Sequence, residues 1–136
     1  MDKAELSQDI GDHISSFLDK RFSDCTITVA ILDSTREDVK IPFVMAAVDT
    51  PSFLANRSNI SNILQNVYSG FIDSDYADKF GGLEVIFRHK DTMRRIVRVS
   101  VTTAGYKHIL QFQVSDFDKP GPFSGVGCWV YDTALA

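Results

Sequence analysis

The chain has 136 residues, 44% of them hydrophobic, with 14 Lys or Arg against 18 Asp or Glu for a formal charge of −4. This length suits one ordinary core and predicts a single α+β domain over residues 1–136. The acidic balance speaks against a nucleic-acid surface, and no apolar run is long enough to cross a membrane as a helix.

Residues 3 to 22 place Leu6, Ile10, Ile14, Phe17, Leu18 and Phe22 at steps of three or four, the pattern of an amphipathic helix, with Asp2 available as N-cap. The opening Asp2, Lys3 and Glu5 lacks the basic and then apolar stretch of a secretory leader, so a cytoplasmic location is expected. Cys25 to Ile31 reads as a strand, followed by a polar turn through Asp33, Ser34, Thr35 and Arg36. A second strand spans Val39 to Val48, and Pro42 argues that it starts late or lies at an edge. Thr50-Pro51 reads as a helix opening that Ser58 extends or restarts, with Ile60, Ile63, Leu64, Val67, Tyr68 and Phe71 as the buried stripe. The acidic stretch 73 to 82 reads as a loop ending in Gly81-Gly82.

Residues 83 to 116 read as a three-stranded antiparallel meander. Leu83, Val85 and Phe87 share one face of its first strand, and Val97, Val99 and Val101 one face of its second. A three-residue loop, Lys90 to Thr92, pairs Val85 with Val97 and keeps both apolar sets on one side, which a two-residue loop does not. A second turn at Ala104-Gly105 then pairs Val99 with Leu110 and Val97 with Phe112. Asp118 to Gly127 is rich in Pro and Gly, and Cys128 to Tyr131 offers a short extra strand. The expected fold is α+β: an antiparallel sheet with a C-terminal three-stranded meander, packed against two amphipathic helices, in the order α-β-β-α-β-β-β.

Residues 83 to 113 hold six Lys or Arg against Glu84 and Asp91, a local +4 that leaves −8 for the remainder. In the expected register the polar face of the meander sets Arg88 opposite Arg94, Ile86 opposite Ile96 and Glu84 opposite Arg98. Like charges face to face need an intervening anion or carboxylate. This mixed face, Ile86, Arg88, Arg94, Ile96 and Arg98, together with Trp129 and Tyr131 on the terminal strand, is the candidate interface for a protein partner or for self-association. A nucleic-acid ligand is not expected, because Phe87 and Phe112 point to the core and leave no stacking aromatics among the basic groups.

No nucleotide loop, nucleophile elbow or metal-ligand cluster is present, and no cofactor or metal is expected. Asp73, Asp75 and Glu84 occupy positions one, three and twelve of a calcium loop, but Ala77 and Asp78 stand where a ligand and a glycine are required. Cys25 and Cys128 are too far apart for a zinc motif and read as buried thiols. His13, His89 and His108 read as hydrogen-bonded structure, and Asp116 and Asp118 as ordinary loop carboxylates. The sequons at Asn56 and Asn59 matter only in a secretory compartment. Two functions follow. The first is a non-enzymatic interaction or assembly module, a subunit of a homo-oligomer or larger complex. The alternative is a small-ligand-binding domain or small enzyme, with a pocket between the sheet and the second helix lined by Tyr68, Phe87, His108 and Phe112.

Overall fold

The computed structural model describes residues 2–32, 42–109, 111–118 and 126–136. The polar turn at Asp33 to Arg36, the start of the expected second strand, Leu110, and most of the Pro- and Gly-rich stretch lie outside the described residues. The observed elements are α1 (Lys3–Ser16), β1 (Thr26–Leu32), β2 (Phe43–Thr50), α2 (Arg57–Asp73), β3 (Gly82–His89), β4 (Arg95–Thr102), α3 (Tyr106–Ile109) and β5 (Val126–Val130). The class is α+β, and the element order follows the expected one as far as β4.

Helix α1 begins where its cap predicts, with the Asp2 carboxylate accepting from the Glu5 N–H at 2.8 Å. It ends at Ser16, short of the expected Phe22. The Asp19 carboxylate instead caps a separate 3-10 turn at Lys20–Phe22, and the Asp19 N–H is taken by the Asn66 side chain. Phe22 still reaches the core, whereas Phe17 is left exposed. Helix α2 begins later than Pro51 suggests. Pro51 leads into a short 3-10 turn, and Asn56 caps α2 by accepting from the Asn59 N–H at 2.9 Å.

The five strands form one sheet in the order β1-β2-β3-β4-β5. Successive pairs are antiparallel except β2 and β3, which run parallel with α2 as the crossover between them. The expected all-antiparallel sheet is therefore corrected to a mixed one. A helix of 17 residues between two strands returns the chain to the end it left, and a parallel neighbour follows.

Register and alternation put Ile27, Val29 and Ile31, Val44, Ala46 and Val48, Leu83, Val85 and Phe87, Val97, Val99 and Val101, and Val126, Cys128 and Val130 on one face. Helices α1 and α2 supply Ile10, Ile14, Ile60, Ile63, Leu64, Val67, Tyr68 and Phe71 to the same core. Each of these large apolar side chains contributes about 1.5–3 kcal/mol by leaving water. Gly70 is what lets the helices meet, since a Cβ there would stand 3.0 Å from the Ile14 Cα.

The C-terminal meander exists, but its third strand is β5, at 126–130. The segment expected to form that strand is instead α3, a turn, and a 3-10 stretch at Val114–Asp118. The β3–β4 register also differs from the expected one. Val85 faces Val99, and Phe87 faces Val97, two residues from the three-residue-loop register. Four residues, Lys90 to Met93, make the turn, with His89 N–H donating to the Arg94 carbonyl and Met93 in the left-handed region at φ 60°. A four-residue turn alone would invert the faces. An irregularity between Phe87 and Arg88, where Ile96 is the extra residue, restores them.

Candidate functional site

The outer face of the sheet carries, strand by strand, Thr26, Thr28, Ala30 and Leu32; Phe43, Met45, Ala47 and Asp49; Glu84, Ile86 and Arg88; Arg98, Ser100 and Thr102; and Trp129. Among these, only Ala47 is buried. Two glycines on this face are each covered by an aromatic ring. Phe43 lies over Gly82, and Trp129 lies over Gly127.

The charges on this face are already paired. The Arg88 guanidinium grips Asp49 with both arms, Nε donating to Oδ1 at 2.8 Å and Nη2 to Oδ2 at 3.1 Å. Across the sheet Arg88 faces Arg95, not Arg94. Asp49, from β2, is the carboxylate that makes that like-charge juxtaposition tolerable. Arg98 sits between Glu84, at 3.2 Å from Nη1, and the ring of Trp129, whose centroid is 4.1 Å from Cζ. Glu84 lies one step diagonally from Arg98, since Ser100 is directly opposite it.

Of the expected interface residues, Ile86, Arg88, Arg98 and Trp129 share the outer face. Ile96 does not belong with them: as the bulge residue it has no exposed surface and joins the core, and Ile86 faces Arg98 instead. Arg94 and Tyr131 lie at the end of the sheet. Two residues of the second expected site lie in the core. Tyr68 and Phe87 have no exposed surface, and the Tyr68 hydroxyl donates to the Leu83 carbonyl at 2.7 Å. Phe112 packs edge-on against Phe117 with ring centroids 5.0 Å apart. His108 lies on α3 and is half-buried, not on a strand opposite Val101.

The other expected chemistry takes ordinary structural forms. Asp73, at position one of the incomplete calcium-loop spacing, pairs with His13 at 3.0 Å, and no group of His, Cys, Asp and Glu suited to a metal occurs among the described residues. Both cysteines are unbridged. Burial pushes the Cys25 thiol up and the Cys128 thiol to about 11, the nearby Asp116 adding to the latter, so neither offers a thiolate near neutral pH.

One arrangement was not legible from spacing. At the end of the sheet, His89, Arg94, Arg95, Tyr131, Asp132 and Thr133 line a cleft of about 520 Å³. The His89 Nε2 and Asp132 Oδ2 are 2.8 Å apart. The Ile96 carbonyl, next after the Val97–Val130 pair of the β4–β5 ladder, accepts from both Tyr131 and Asp132 N–H groups, at 2.9 and 3.1 Å. That contact swings Asp132 to His89. Arg95 lies 5.6 Å from the Tyr131 ring centroid. The separation of 43 positions between His89 and Asp132 hides the pair from any motif search.

Compared with family models, curated proteins and solved structures, the chain matches none of them. No described helix is long and apolar enough to cross a membrane.

Proposed function

We propose that this protein is a non-enzymatic interaction or assembly module, a subunit of a homo-oligomer or of a larger complex, and that the outer face of its sheet is the contact surface. The observation that carries this reading is the composition of that face: Leu32, Phe43, Met45, Ile86 and Trp129 surround two ion pairs formed within the chain, Arg88 with Asp49 and Arg98 with Glu84. Covering paired charges costs far less than covering lone ones. Two unbridged thiols suit a reducing, cytoplasmic setting.

Size decides how such a surface must work. Five strands spaced about 4.8 Å apart and some six residues long give a face of roughly 20 by 20 Å. Two such faces bury roughly 800 Å², short of the roughly 1,000 Å² expected of a stable contact. A second surface has to contribute. Strand β1, TITVAIL, is an edge of the sheet with no charge, proline or bulge, and a groove of about 580 Å³ separates it from α1. Such an edge invites strand addition. Pairing β1 with β1 of a second copy continues one sheet into the other and doubles the outer face.

Light scattering on the purified chain across a concentration series, in low and high salt, tests this reading. A defined oligomer is expected, and Thr28→Lys on the β1 edge and Arg98→Glu on the outer face should each shift it toward monomer. A monomer at every concentration, or a mass indifferent to both substitutions, removes the self-association reading.

A further inference from the structure

We infer that the cleft at the end of the sheet is a binding site for a small organic phosphate, its phosphoryl group held by Arg94 and Arg95 and its organic part lying against Tyr131. Three observations converge. The cleft's volume, about 520 Å³, lies within the roughly 300–1,000 Å³ range of ligand sites and exceeds what a bare ion fills. Its lining holds two arginines against one carboxylate in a chain whose net charge is −4. Among the described residues, neither guanidinium forms an ion pair, whereas Arg21, Arg57, Arg88 and Arg98 all do.

The one carboxylate in the lining is committed elsewhere. Asp132 pairs with His89 through Oδ2 and accepts the Ala134 N–H through Oδ1 at 3.0 Å, so both oxygens are turned to protein partners. Asp132 also holds the His89 ring in place at the cleft wall. Two adjacent guanidinium forks match the oxygens of a phosphate better than a point charge does. The Tyr131 ring and the Thr133 hydroxyl complete a wall that is partly apolar and partly polar. No bond is made or broken in this proposal.

The test is an amide and side-chain NMR titration of the full chain with inorganic phosphate, phenyl phosphate and benzoate at constant ionic strength. Saturable shifts centred on Arg94, Arg95 and Thr133 are expected with phosphate, with dissociation constants on the order of 1 mM or below. Phenyl phosphate should bind more tightly and also move Tyr131. Arg94→Gln combined with Arg95→Gln should weaken phenyl phosphate about tenfold or more, as the loss of charge-assisted bonds implies. Both residues are exposed, so the same spectra report that the variant is folded, and Arg21→Gln should bind as the unaltered chain does. Shifts that do not saturate, or that persist in the double variant, overturn the site. Equal binding of benzoate overturns the phosphate assignment.

Discussion

Tyr68 shows what a single hydroxyl does in this core. Its ring has no exposed surface, and its hydroxyl donates to the Leu83 carbonyl at 2.7 Å, fixing α2 to the start of β3. Burial first, and then the neighbouring Tyr106 and Glu84, push its pKa well above the ordinary value, so it remains a donor at any working pH. Tyr68→Phe is expected to lower stability by about 1 kcal/mol, the usual cost of such a bond, with the slope of the urea transition unchanged. An unchanged midpoint would mean that the hydrogen bond is energetically neutral. Arg98 makes the complementary point: its charge and its place on the outer face were legible from alternation, but its contact with Trp129 needed β5 as a neighbour.

The two covered glycines differ in what a methyl group would strike. At Gly82 the added Cβ meets the Val101 carbonyl and the Phe43 ring, and the carbonyl is backbone that cannot swing aside. At Gly127 the nearest atoms it meets belong to the Trp129 ring. Gly82→Ala is therefore expected to cost about 3 kcal/mol or more, and Gly127→Ala about 1 kcal/mol, by chemical denaturation. Comparable losses would show that Trp129 is as immovable as the backbone.

The same contrast between local and distant causes separates what was legible from what was not. Periods of two and of three to four identified α1, β1, α2, β3 and β4, because those elements bury one face and their sequences alternate accordingly. Leu110, Phe112 and Val114 also alternate, which suggested a strand there. The Gln65 side chain on α2 overrules that pattern by donating to the Ile109 and Phe112 carbonyls at 2.8 and 3.2 Å, so these acceptors are turned to a helix and not to β4. Likewise the bulge at Ile96 leaves no compositional mark. With the four-residue turn it moves the register by two residues in all, one from each, and so keeps the apolar faces aligned.

Stability of the chain should follow pH through a few identifiable groups. The hydrogen bond with His89, supported by the Ala134 N–H, holds the Asp132 carboxyl below its ordinary range. Its contribution is present above that range and is lost as pH falls through it. The Cys128 thiol has the opposite sign. Burial raises it from 9.0 to about 11, so the folded state keeps its proton longer, and stability declines as pH rises through that interval. Urea midpoints measured against pH should therefore be level near neutrality and fall on both sides. Asp132→Asn should flatten the acid limb and Cys128→Ala the alkaline limb, and limbs unaltered by both substitutions would assign the pH response to other groups.

The parallel seam between β2 and β3 also has a kinetic meaning. β1 with β2, and β3 with β4, pair strands that follow one another along the chain. The seam joins partners as far apart as Asp49 and Arg88, 39 residues, across all of α2. Loop closure over that separation costs entropy before any contact repays it. The antiparallel units on either side of the seam, β1–β2 and β3–β4–β5, are then expected to form first, and their docking along β2 and β3, with α2 folding over the join, to be the slow step on the way to the native state.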